Sequence, residues 1–145
     1  MHSLIGTWRL VEWTVTLDGT PAAKPFGGDP TGLLTYTGDG RIWATLMRSD
    51  RPRMNTTTLA AADVEARAAA AAGYLAYAGT YRVDGDVVDH SVEVSLFPDW
   101  IGGVQRRYIT WQDGDLVLNS AGTTTRDGKE AVNRLRWRRI TGGSA

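Results

Sequence analysis

His90 and Arg107 are the two side chains of this chain best suited to chemistry on an organic molecule. The imidazole sits mid-strand, where histidine is neither a good β-former nor a turn residue. Facing an interior, it can act as acid or base near neutral pH. It can equally be a hydrogen-bonded structural residue. Alternation places Gln105, Arg107, Ile109 and Trp111 on one face of the next strand. An inward Arg107 can grip a carboxylate, enolate or carbonyl oxygen, or pair with Glu93 or Glu12 as a structural ion pair. A buried arginine without any partner is too costly. Parity also groups His90 with Val92, Val94 and Leu96, and Ser91 with Glu93, Ser95 and Phe97. With the apolar face inward, His90 points inside and Glu93 meets solvent, unless a bulge intervenes. Tyr36, Tyr77 and Tyr81 add phenols, and Trp43 and Trp100 add flat apolar walls, although such aromatics also serve plain packing.

The elements that must position these groups are short and extended. Turn signals divide the chain into strands over residues 5–17, 32–37, 41–48, 79–83, 86–96, 103–111, 115–120 and 131–140. Gly38-Asp39-Gly40, Asp84-Gly85 and Asp113-Gly114 mark three hairpins. Residues 20–30, with several prolines and glycines, read as a loop. One segment breaks the pattern: residues 59–73 are mostly alanine and favour a helix, capped by Thr57 or Thr58 and ended by Gly73. It has few large apolar side chains, so it would rest against the sheet or over its mouth. The loop 97–103 carries Phe97, Trp100 and Ile101, more apolar bulk than a solvated loop needs, and reads as a lid or plug. Residues 142–145 read as a frayed tail. About eight regularly spaced strands make a meander, closed as a barrel or folded as a sandwich.

Composition narrows the classes of function. At 145 residues the chain is a single domain over residues 1–145, large enough for a real core. Lys+Arg and Asp+Glu are both 16, and basic residues are interleaved with acidic ones, so neither nucleic acid nor a membrane surface is an expected partner. There is no cysteine, which excludes disulfides and thiolate chemistry. No signal peptide or membrane span is apparent, which points to the cytoplasm. Heavy alanine and arginine usage hints at a GC-rich bacterial genome. Phosphate loops, paired-histidine metal motifs and nucleophile elbows are missing, so neither a metal nor another cofactor is expected.

Stretches spread in order along nearly the whole chain carry a resemblance. These are Gly6-Thr7-Trp8-Arg9-Leu10-Val11, Gly32-Leu33-Leu34-Thr35-Tyr36-Thr37-Gly38-Asp39-Gly40-Arg41, Tyr77-Ala78-Gly79-Thr80-Tyr81-Arg82-Val83, His90-Ser91-Val92-Glu93 with Gln105 and Arg107, and Arg134-Leu135-Arg136-Trp137. Together they resemble the bacterial lipocalin-like domain family. The resemblance implies an up-and-down antiparallel barrel around a cavity, so the expected fold is an all-β barrel of about eight strands with one short alanine-rich helix. In that arrangement Trp8 plugs one end, and an arginine of the last strand (Arg134, Arg136 or Arg138) stacks over its ring. Glu93 belongs to the resembling segments, which keeps an inward or structural role open for it.

Three functions are compatible with such a barrel. The first is a cofactor-independent isomerase or cyclase of specialised, natural-product metabolism. It would fold a bulky apolar substrate into reactive shape, with His90 moving a proton and Arg107 with Gln105 steadying charge on oxygen. The second is a carrier or sequestering protein for the same kind of molecule. The third is a solid barrel acting through its outer surface. The enzyme is ranked first, with Tyr36, Trp43, Tyr77, Tyr81, Trp100, Gln105 and Glu93 as ligand-binding candidates. A homodimer is one assembly open to it.

Overall fold

The computed structural model describes residues 2–142; most of the expected C-terminal tail lies outside them. The strands are β1 (Gly6–Leu17), β2 (Thr20–Ala23), β3 (Thr31–Tyr36), β4 (Arg41–Met47), β5 (Tyr74–Asp84), β6 (Val87–Ser95), β7 (Val104–Gln112), β8 (Asp115–Ser120), β9 (Thr123–Thr124) and β10 (Glu130–Arg139). Eight of them form a closed antiparallel barrel in the order β1-β3-β4-β5-β6-β7-β8-β10, with β10 pairing back onto β1. The short β2 and β9 extend its edges. Each of the three expected hairpins joins neighbouring strands: β3 to β4, β5 to β6, and β7 to β8. The expected loop over residues 20–30 contains β2.

The expected helix is split. Thr58 caps a single 3-10 turn at Leu59–Ala61, and Asp63 caps α1 (Val64–Ala72) by accepting from the Ala66 amide. The break separates two cap residues, each with extended backbone. No residue of α1 is buried, so the helix stays thinly attached, as its alanine content leads one to expect. Among the described residues no helix is long and apolar enough to cross a membrane.

Strand alternation builds the interior. Along β4, Ile42, Ala44 and Leu46 are buried, while Trp43 and Thr45 are exposed. Two bulges interrupt this regularity. In β1 the register shifts between Leu10 and Glu12, so Trp8 and Leu10 face inward before the bulge and Trp13 does so after it. In β6 Val92 pairs with Gly79 and Val94 with Ala78, leaving Glu93 as the extra residue. The second bulge turns Val94 and Leu96 to the outside, where they are 60% and 42% exposed. The expectation that both share the inward face of His90 is therefore corrected.

One end is closed by Trp8, fully buried, with its indole N–H donating to the Leu4 carbonyl at 2.9 Å. The cation over its ring is Arg139, 4.1 Å from the ring centroid, which also donates to the Ile5 and Ser3 carbonyls. This corrects the expectation of Arg134, Arg136 or Arg138. Arg139 is the register partner of Trp8 and shares the parity of Leu135 and Trp137. The even-numbered arginines point to the other face, where Arg136 and Arg138 both bond Asp115 and Arg134 bonds Gln112.

Asp115 is 5% exposed. Burial alone would raise its pKa, but the hydrogen bonds and charges of Arg138 and Arg136 bring it below the ordinary value. Its stabilising contribution is present above the ordinary carboxylate range and is lost as pH falls through the lowered folded value. Asp115→Ala leaves two facing guanidinium groups without their shared carboxylate. Thermal melts at pH 7 are expected to report a loss of about 2 kcal/mol, shrinking toward zero in strong acid.

Candidate functional site

The barrel encloses a cavity of about 680 Å³, within the size range of small-molecule sites. Its apolar wall is formed chiefly by Trp13, Phe26, Leu118, Leu135, Trp137 and Trp100. Trp13 and Phe26 meet edge to face at 4.7 Å. Phe97 and Trp100, from the loop between β6 and β7, complete the wall, and Trp100 stands against Tyr77 at 5.5 Å.

Polar groups enter the wall from β5 and β7. Gln105 and Arg107 lie on the inward face of β7, and Tyr77 on that of β5. The Arg107 guanidinium donates to the Arg106 carbonyl at 2.9 Å and to the Gln105 side-chain oxygen at 3.4 Å. Neither expected acidic partner reaches it. Glu93 pairs with Arg41 at 2.6 Å on the outside, and Glu12 lies near Lys24 and accepts from Thr14. Arg107 is only half-buried, so it remains open to solvent and no internal ion pair is required. Among the described residues, no aspartate or glutamate lines the cavity.

His90 sits behind this wall rather than in it. It is 1% exposed and held between two phenols: the Tyr36 hydroxyl lies 2.6 Å from Nε2 and the Tyr77 hydroxyl 2.8 Å from Nδ1. Across the β5–β6 ladder His90 pairs with Tyr81, and Tyr77, paired with Ser95 four residues earlier on β5, reaches the imidazole with its hydroxyl. Burial, followed by the positive charge of Arg107, pushes the His90 pKa down to about 3, with Asp89 opposing slightly. Burial likewise raises the Tyr36 and Tyr77 hydroxyls above their ordinary value, against a smaller lowering by Arg107. All three groups are therefore neutral at physiological pH. An imidazole in this state is a hydrogen-bonding hinge between two phenols.

The remaining candidates separate by position. Tyr36 is buried on the far side of His90. Tyr81 packs edge to face on Tyr36 at 4.8 Å, donates to the Thr37 carbonyl at 2.7 Å, and belongs to a smaller pocket at the Trp8 end with Trp111 and Ile109. Trp43, 47% exposed, and Glu93 lie on the outer face, away from the cavity proposed for them: alternation directs Trp43 outward in β4, and Glu93, the extra residue of the β6 bulge, keeps the solvent-facing side that parity assigns it. Trp13, Phe26 and Trp137 are wall residues that the sequence reading did not assign to a site. Trp137 could have been found from its parity with Leu135. Trp13 could not, because its inward direction depends on the β1 bulge.

Comparison with known proteins agrees with this geometry. Residues 5–140 match the family model described as a lipocalin-like domain. Among curated proteins, the 4'-hydroxy-3'-methoxypropiophenone carrier protein ppsC of Aspergillus oryzae is 30% identical over 105 residues, which cover 67% of this chain and 95% of that protein.

Proposed function

This chain belongs to the lipocalin-like domain family, and from that premise we propose that its barrel carries a small, largely apolar organic molecule with at least one oxygen-bearing end. The observation that carries this reading is the pairing of an aromatic cavity with a His90 locked between Tyr36 and Tyr77. Indole and aliphatic walls favour a flat hydrophobic guest, and Gln105, Arg107 and Tyr77 supply the few polar contacts that orient it. The fungal relative is named for carrying an aryl ketone, a molecule of suitable size and polarity for these walls.

A cofactor-independent isomerisation or cyclisation is the second reading, favoured by Tyr77 and Arg107 lining one cavity. Tyr77 would then be the group that touches substrate, with His90 acting only through it. The two readings differ in what leaves the barrel.

Titration with 4'-hydroxy-3'-methoxypropiophenone, followed by quenching of the wall tryptophans, is expected to saturate at one molecule per chain. Mass spectrometry of the released ligand is expected to return it unchanged. An altered product would favour the catalytic reading. Absence of saturable binding by this ketone and by apolar dyes alike would overturn both.

A further inference from the structure

The Tyr36–His90–Tyr77 chain has a direction. Tyr36 is 1% exposed, and its hydroxyl has one hydrogen-bond partner among the described residues, His90 Nε2. A buried hydroxyl proton without an acceptor gives up its hydrogen bond to water with nothing in return, so Tyr36 donates to Nε2. In a neutral imidazole the proton then resides on Nδ1, which donates to the Tyr77 oxygen. The reverse direction would leave the Tyr36 proton facing nothing. Tyr77 thus accepts from His90, and its own proton has no protein acceptor among the described residues.

The rest of the wall has the same bias. Trp137 is 2% exposed, lines the cavity, and has an indole N–H with no partner among the described residues. Arg107 bonds no carboxylate among the described residues. The amide oxygens of Gln105 and Asn133 are already taken, by Arg107 and by the Trp13 indole. Donors on Tyr77, Trp137 and Arg107 are left over, while the two amide oxygens of the wall each already accept a bond.

We infer that the cavity is built to receive hydrogen-bond acceptors, and that its ligand presents an anionic oxygen (carboxylate, enolate or phenolate) to Tyr77 and Arg107, with Trp137 donating to a second acceptor. This rests on the cavity being a ligand site, and it adds what the ligand must carry. Tyr36 and His90 are positioning residues, acting by fixing where the Tyr77 proton points.

Two dyes that share a skeleton test the idea on the full chain: anionic 8-anilinonaphthalene-1-sulfonate and neutral N-phenyl-1-naphthylamine. The wild type is expected to bind the anion at least about tenfold more tightly. Arg107→Gln and Tyr77→Phe should each erase most of that preference, while binding of the neutral dye, which reports an intact cavity, changes less than about twofold. Equal binding of the two dyes, or equal losses for both in the variants, overturns the inference and leaves the carrier reading standing. Failure of both dyes, and of the ketone above, to bind overturns both. A separate readout tests the direction of the chain. Nitrogen-15 spectra of the wild type, with the His90 signal identified by its loss in His90→Gln, should give the neutral Nδ1–H tautomer. The Nε2–H tautomer would overturn the oriented proton.

Discussion

Gly79→Ala is expected to lower the unfolding free energy by at least about 3 kcal/mol, a large part of the stability of a domain this size. Gly79 lies opposite the β6 bulge, where Val92 and Val94 pair with consecutive residues of β5. A Cβ added there would overlap the Ser91 carbonyl oxygen, lying 2.9 Å from its carbon and 3.1 Å from the Glu93 nitrogen. Those atoms are backbone held in a sheet, so relief requires opening the β5–β6 ladder rather than rotating a side chain. Gly28→Ala is the matched control, since an added Cβ there meets nothing within 4 Å, and it should stay within about 0.5 kcal/mol of wild type. Urea denaturation of both variants measures the contrast. A Gly79→Ala protein as stable as the control would mean that the bulge is not what holds β5 against β6.

Acid should weaken this barrel through His90 before it does so through its carboxylates. The unfolded chain takes up a proton on this histidine near its ordinary value of 6.5, whereas the folded chain resists protonation until about 3. Between those values the unfolded state binds more protons, so stability falls as pH falls. The full loss is on the order of 5 kcal/mol, and each pH unit within the window contributes about 1.4 kcal/mol. His90→Gln keeps a donor and an acceptor for Tyr36 and Tyr77 but cannot titrate. It is expected to be less stable than wild type at pH 7 and to have a flatter profile between pH 6.5 and 4.5. Urea midpoints of both proteins across that range measure the difference, and carboxylates common to both, Asp115 included, cancel from it. Parallel profiles would mean that His90 protonates freely in the folded state, which would restore it as a candidate acid or base.

Much of the architecture was already written in the chain. Asp-Gly turns, alternating strands and an alanine-rich interruption imply a meander with one helix, and local backbone preference is enough to set them. The inward positions of Gln105 and Arg107 also follow from simple parity along β7. Parity fails where register changes. The bulges at Val11 and Glu93 turn Trp13 into the cavity and Val94 out of it, and a bulge exists only in relation to the strand opposite. The role of His90 had the same dependence. Its two phenol partners are 54 and 13 residues away, and closure of the barrel brings them to its two ring nitrogens. Composition alone identifies an imidazole near aromatic residues. Three-dimensional enclosure removes water from it, keeps it neutral and leaves the proton facing the cavity on Tyr77. The arginine over Trp8 is Arg139 for a similar reason: pairing of β1 with β10 selects one cation from an arginine-rich strand. Short-range sequence preferences therefore determined which segments become strands, while long-range pairing decided which side chains share an interior. Desolvation and hydrogen-bond direction, which settle the chemistry of the site, arise only once that interior has closed.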